Sequence, residues 1–424
     1  MKTRFVLSVR LLLVASTTVL ASVNAPVASS VMLTLPQAQT LLLAHNRDLL
    51  AAQRGIEAAK AAQLSATARP NPQISINSVN INPHSGIGAG SPYDKRMDTV
   101  LRVDQVIERG DKRDLRMKTA QQLELASEAD LSDITRQQRI ALFNAYYDVA
   151  YAQDKIQLTA DAAKLATTAQ KKAELRLSAG DIAAAEVARI RVDTLRAQND
   201  AEQAIADAAN ARIALAYLLG LDNQAAQLQV DAAWPSTGEV NTETDFSKLI
   251  DRRADIQAAQ ARVDAARQYK ELIRAQRTRD ISVGAQVEHY PGATENTLGL
   301  GISFPLFLGN HFDGDIRNAE VMLSTAEDYL ERVRALALGE LNRTQAALVS
   351  SQARLQRYQS SLLPAARKAM DAAEFGFANG AISAVELLDA RRTWRAIQLE
   401  ALGAQSDYAR ALAIWRTNTQ IVQD

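Results

Sequence analysis

Apolar positions recur along most of this chain at spacings of three and four, and in a few short stretches at a spacing of two. The first period belongs to helices that bury one face, the second to strands with one apolar face. A helix is predicted from about Leu35 to Arg69, where Arg69-Pro70-Asn71-Pro72 ends it, because proline lacks the amide donor and restricts its predecessor. An equivalent helix is predicted from near Asp245 to near Arg279. From Asp111 to about Leu177 neither proline nor glycine occurs, and from Ile316 to Phe375 only Gly339 and Pro364 intervene. At roughly 1.5 Å per residue such a helix is about 100 Å long, far more than a globular core requires. Each long helix is expected to turn, at Ser178-Ala179-Gly180-Asp181 and at Ala378-Asn379-Gly380-Ala381, with a second helix returning to about Leu219 and Thr417. Glycine supplies the left-handed backbone that ends a helix, so two antiparallel helical hairpins are predicted.

Two alternating stretches follow each opening helix. Ile281, Val283, Ala285 and Val287 alternate with Ser282, Gly284, Gln286 and Glu288, and Leu298, Leu300, Ile302, Phe304 and Leu306 alternate with Gly299, Gly301 and Ser303. In the first half Ile74 and Ile76 lead, the phase shifts to Val79 and Ile81, and Leu101, Val103 and Ile107 follow; a β-bulge is the expected cause of the slip. This pattern suits a strand with lipid outside and water inside, and equally a soluble sheet with one wet face. The few strands beside such long helices favour the first. Four strands cannot close a cylinder, and an edge left open in lipid strands its amides and carbonyls without partners. Three chains with four strands each would make a barrel of about twelve, with the hairpins continuing its wall as a helical tube.

The two halves read as copies. Ala173-Glu174, Gly180, Ile182, Glu186 and Arg191 recur at Ala373-Glu374, Gly380, Ile382, Glu386 and Arg391, and Gln198, Ala201, Ala204, Asp207, Ala209 and Ala211 at Gln398, Ala401, Ala404, Asp407, Ala409 and Ala411. A second stretch pairs Asp48, Ala52-Gln53 and Ala58-Ala59 with Asp255, Ala259-Gln260 and Ala265-Ala266. The expected organisation is a first repeat over 33–220, a linker over 221–244 that holds Trp234-Pro235 and lies as a belt outside the tube, and a second repeat over 245–424. The expected fold is mainly α with a small β part: a trimeric α-helical barrel continued by a shared twelve-stranded transmembrane β-barrel.

Composition narrows the function. Lys plus Arg equals Asp plus Glu at 48 each, so no basic field draws nucleic acid, and no nucleic-acid partner is expected. Lys2, Arg4, the apolar run Phe5 to Leu20 and small residues at Ala21, Ala25 and Ala28 form an expected secretory leader over about 1–25. Beyond it no apolar run reaches the ~18 residues of a spanning helix, so any crossing must be by strands. The absence of cysteine removes disulfides and N-terminal lipidation. His45, His84, His289 and His311 lack His or Cys neighbours at ligand spacing, and Gly86, Gly88 and Gly90 lack the following Lys of a phosphate loop. Neither a metal site nor any cofactor is expected, and no catalytic constellation is present. Tyr93, Tyr290, Phe304 and Phe307 lie at or near strand ends, where rings suit either the membrane interface or ordinary burial; Trp394 and Trp415 are read as packing residues.

With its duplicated plan of helix, two strands and helical hairpin, the chain resembles the TolC-like outer membrane factors over essentially its whole mature length. Arg69-Pro70-Asn71-Pro72 and Gln105-Val106-Ile107-Glu108-Arg109-Gly110-Asp111-Lys112-Arg113 are most similar to the heavy-metal branch of that family, the cobalt-zinc-cadmium resistance type. Members commonly carry a second glycine where this chain has Asp111. The resemblance implies a passive outer-membrane conduit with a long periplasmic extension, in a homotrimer set in outer-membrane lipid. It would join an inner-membrane resistance-nodulation-division pump and a periplasmic adaptor to the outside. It further implies that the hairpin tips (Ser178, Ala179, Gly180, Asp181; Ala378, Asn379, Gly380, Ala381) meet the adaptor, beside their role in helix capping. Glu386 and Asp389 match acidic positions lining the narrow periplasmic entrance, with Glu186 as the counterpart of Glu386. Arg189 is read as a link to a neighbour's Asp389 or Glu386 that holds the entrance shut; a plain solvated helix face is the alternative for all four. The cargo implied is divalent heavy-metal cations, with organic compounds, or a pore-free periplasmic coiled-coil scaffold, as the competing readings.

Overall fold

The computed structural model describes residues 31–84, 86–91, 94–238, 245–291 and 296–419. The expected leader, Tyr93 and residues 239–244 of the expected linker lie outside them. The opening helix is two helices, α1 (Leu35–His45) and α2 (Arg47–Thr67), not one. Asn46 divides them. Its Oδ1 accepts from the amides of Asp48 and Leu49 at 3.0 and 3.1 Å, capping α2, while its Nδ2 donates to Gln138 Oε1 and the Leu218 carbonyl. The second opening helix is divided in the same way, into α5 (Phe246–Ile250) and α6 (Ala254–Ala275), with Arg253 at the α6 N-cap.

The first hairpin pairs α3 (Lys112–Ser178), 67 unbroken residues, with α4 (Ala184–Leu219). In the second, α7 (Asp313–Arg357) gives way to a π-helical turn over Tyr358–Leu362, then α8 (Leu363–Ala378), then the returning α9 (Ala384–Thr419). Pro364 has no hydrogen for the carbonyl four residues before it and its ring crowds that carbonyl, and the widened turn ahead of it relieves both.

β2 (Gln73–Val79), β3 (Asp98–Ile107), β5 (Ile281–His289) and β6 (Thr297–Ser303) form one antiparallel sheet in that order. β1 (Val31–Leu33) and β4 (Leu228–Val230) pair in parallel elsewhere. The bulge expected in the first strand is absent: β2 and β3 pair one to one from Gln73↔Asp104 to Val79↔Asp98. Val79 instead closes β2 on the face opposite Ile74 and Ile76, and Asn80, at φ +59°, redirects the chain before Ile81. The strands are joined to the long helices through residues of left-handed backbone, Asp111 at φ +56° and Phe312 at φ +63°. Asp is among the few side chains that tolerate this region, so Asp111 can hold the turn without a glycine at its position. Around the first junction the buried Lys112 ammonium donates to the Thr278 carbonyl and Asp280, both at 2.8 Å, and Asp280 also accepts from the Arg109 amide. At the second, Phe312 meets Phe307 edge to face at 5.1 Å, and Arg277 bonds Asp313 and the His311 carbonyl.

The main core lies mid-way along the helices, where Leu42, Leu142, Tyr146, Leu215, Leu219 and Leu228 are wholly buried. Tyr146 donates from its hydroxyl to the carbonyls of Leu33 and Asp231. Trp234 stacks on Tyr147 and donates to Asp154 at 2.9 Å, laying the segment after β4 against α3. Trp415 is buried in a second cluster with Leu348, Leu355 and Tyr408, while Trp394 lies under the Arg367 guanidinium.

Candidate functional site: strand face, hairpin tips and entrance

The register gathers the apolar strand residues into rows. Ile74, Val103, Ala285 and Leu300 lie side by side across the four strands, as do Ile76, Leu101, Val287 and Leu298. Leu298 and Leu300 are 85% and 90% exposed, so this face has no partner among the described residues. The opposite face carries Gln73, Ser75, Asn77, Asp98, Arg102, Asp104, Gln286 and Glu288, with Gly284, Gly299 and Gly301 among them. Among the described residues both outer strands, β2 and β6, have one edge unpaired. No helix of the described residues is long and apolar enough to cross a membrane.

At the far end each hairpin turns as its glycine demands. Gly180 and Gly380 sit at φ +82° and +73°. The amide of the following residue bonds back across the turn, Asp181 to the Arg176 carbonyl and Ala381 to that of Gly376, which satisfies carbonyls the helix end would leave free. All eight predicted tip residues are exposed. Beside them Leu175 and Phe375, which occupy matching positions of the two tips, are 69% and 73% exposed; this apolar pair was not singled out from the sequence, although its place next to the glycines was visible there. The two hairpins meet through Ala173, Val187, Ile190, Ala384 and Leu388, and Arg392 crosses from α9 to the buried Asp193 on α4 at 2.8 Å.

Just beyond the second tip, Glu386 and Asp389 are exposed and line one shallow cleft with Ala366, Ala369, Val385 and Thr393. They share a face, as their spacing requires. Glu386 has a local duty too. Its carboxylate accepts from the Ser383 amide and hydroxyl at 2.8 and 3.1 Å while the Ser383 hydroxyl accepts from the Glu386 amide, a reciprocal helix cap that holds the carboxyl below its ordinary pKa. In the first half Ala183 stands where Ser383 does, so the half-buried Glu186 has no such partner. Arg189 and Asp389 are exposed, and among the described residues neither forms an ion pair within the chain.

A buried ionic cluster escaped sequence reading. Arg253, with a side chain 6% exposed, bonds Asp255 and Glu340, both at 2.8 Å; Glu340 also accepts from Arg136, which in turn holds Asp133. It ties α3, α6 and α7 together. Among the described residues no group of His, Cys, Asp and Glu is arranged to hold a metal ion.

The outer membrane efflux protein family matches this chain over residues 39–221 and 246–414. The chain belongs to that family. It is a channel component of the Gram-negative outer membrane with a periplasmic extension, not an enzyme. The cobalt-zinc-cadmium resistance protein CzcC of Cupriavidus metallidurans is 26% identical over 382 residues, 88% of this chain and 86% of that one. Among solved structures, the outer-membrane channel OprN superposes with a TM-score of 0.77 at 21% identity over 91% of this chain and 89% of its own. The Campylobacter jejuni CmeC outer membrane channel superposes at 0.79 and 17%, over 91% and 85%. CusC gives 0.74 and 18%, covering 92% of each chain.

Proposed function

We propose that three copies of this chain assemble into one duct, with twelve strands closing a barrel in outer-membrane lipid and six hairpins continuing it through the periplasm. The observation that carries this reading is the sheet itself: an unpartnered apolar face and two unpaired edges in the same four strands. In hydrocarbon each free amide and carbonyl costs several kcal/mol, and only neighbouring copies supply the missing ladders. The duplicated order of elements, over 33–220 and 245–424 with a belt between, makes the trimer approximately six-fold. The duct serves as the passive outer component of a tripartite system, with a resistance-nodulation-division pump supplying energy and a periplasmic adaptor joining the two. The adaptor meets the tips at Ser178, Ala179, Gly180, Asp181, Ala378, Asn379, Gly380 and Ala381. Glu386, Asp389, Glu186 and Arg189 line the entrance, where three copies of each acid favour cations.

Divalent heavy-metal cations are the cargo this reading favours. The likeness to a cobalt-zinc-cadmium resistance protein and the excess of carboxylates on the polar strand face support it. Light scattering of the detergent-purified protein tests the assembly, with a trimer mass expected and a monomer contradicting it. Growth of a strain deleted for this chain tests the cargo: sensitivity to cobalt, zinc or cadmium that the wild-type gene reverses is expected, whereas sensitivity to organic compounds alone would refute it.

A further inference from the structure

We infer that Arg102, laid flat on a floor of glycines and neutralised by Asp104, sets the charge selectivity of the strand segment. The inference rests on the shared-barrel reading above. Arg102 is the only cationic side chain on the polar face of the four strands, which also presents Asp98, Asp104 and Glu288. An arginine standing upright in a bore would repel the cations that those carboxylates attract.

This arginine does not stand. Its Nε and one terminal nitrogen each donate to the Asp104 carboxylate at 2.7 Å, a forked pair, and the other terminal nitrogen donates to Gln286 Oε1 at 2.9 Å. Gln286 then donates to Glu288, which also accepts from the Tyr290 hydroxyl. The network lies along the wall, not across the opening.

The glycines make that posture possible. Gly284 faces Asp104 across one ladder and Gly301 across the next, and Gly299 faces Gln286. A Cβ at Gly301 would stand 3.2 Å from both terminal guanidinium nitrogens, and one at Gly299 would stand 2.9 Å from Gln286 Cγ. At Gly284 it would overlap the Asp104 carboxylate and the guanidinium. None of the three has a positive φ, so no backbone angle calls for glycine, and glycine weakens a strand interior. Space for side chains lying flat is what these positions provide. The arrangement hides the one positive charge and leaves the remaining carboxylates to face the water.

Reversal potentials of the purified full-length protein in planar bilayers, under a potassium chloride gradient, test this. Asp104→Asn frees the guanidinium and removes a carboxylate from each copy, and the potassium-to-chloride permeability ratio is expected to fall about fivefold at low salt. Arg102→Gln is expected to raise it, and Gly301→Leu to lower unitary conductance by lifting the guanidinium into the bore. Wild-type protein that forms no pores would overturn the channel reading and this inference together. Pores with the wild-type ratio in both Asp104→Asn and Arg102→Gln would overturn this inference alone, and either variant decides if the other does not assemble.

Discussion

Glu340→Gln should loosen the middle of the molecule, and by an amount that depends on pH. Glu340 Oε1 accepts from Arg136 and Oε2 from Arg253, each at 2.8 Å, and Asn418 on α9 donates to Oε1 at 3.3 Å. Neutralising this carboxylate leaves two guanidinium groups competing for the remaining acids and turns an amide donor toward one of them. Removing one partner of a buried ion pair costs about 3–5 kcal/mol; Glu340 is 30% exposed, which places its loss at the lower end, about 3 kcal/mol. An unfolding entropy of about 2.1 cal/mol/K per residue then corresponds to a drop of about 3 °C in the melting midpoint. Burial alone would raise the carboxyl pKa, but Arg136 and Arg253 outweigh it and hold the group below its ordinary value of 4.5. A lowered folded pKa means that the stabilisation is complete above the unfolded value and fades as pH falls through the folded one. Wild type and variant should therefore differ fully at pH 7 and converge as pH drops below about 4.5. Helical circular dichroism of the detergent-purified protein, at one concentration and one scan rate, reads both. Equal midpoints at pH 7, or a gap that persists undiminished at pH 3, would refute the reasoning.

Gly180→Pro or Gly380→Pro removes a turn amide and forbids the positive φ, so export is expected to fall several-fold at normal protein levels; unaltered resistance would count against adaptor docking at the tips. Tyr146→Phe leaves the Leu33 and Asp231 carbonyls short of a buried donor, and the melting midpoint should drop by about 1–2 °C, the effect of about 1–2 kcal/mol. Because burial pushes the Tyr146 hydroxyl up to about 12, phenolate absorbance below pH 11 should be the same with and without it. Replacing both Glu386 and Asp389 by Ala should weaken block of the purified pore by multivalent cations at least several-fold; unchanged block would place the constriction elsewhere.

The helical hairpins were legible because their signals are local: absence of proline and glycine over α3, and glycine at each turn. The strand faces were legible because a period of two admits little else. Other features depended on distant partners. Asn46 looks like an ordinary helical residue until Gln138 and the Leu218 carbonyl are seen to hold its side chain. Arg253 is not a usual capping residue, and its anchor, Glu340, is remote in sequence. In a chain whose residues are 23% charged, nothing marks which few ions are buried. The phase slip at Val79 suggested an inserted residue, but a single left-handed Asn80 does the same work outside the ladder. Of the candidate site, the two turns and the shared face of Glu386 and Asp389 follow from local spacing, whereas the docking and entrance roles come from the resemblance. The Glu386 cap could have been read from Ser383 three positions earlier, and the flat-lying Arg102 could not, since it needs the register of three strands.

The left-handed junctions at Asp111 and Phe312 carry a mechanical consequence. A bulky ring is costly in that conformation, on the order of 1–2 kcal/mol, and it persists because Phe307, Arg277 and Asp313 clamp it. Swivelling this elbow would surrender those clamps, and swivelling the one at Asp111 would break the Lys112 bonds to the Thr278 carbonyl and Asp280. In the duct proposed above, dilation is therefore expected to begin at the opposite end, where the tip residues are exposed.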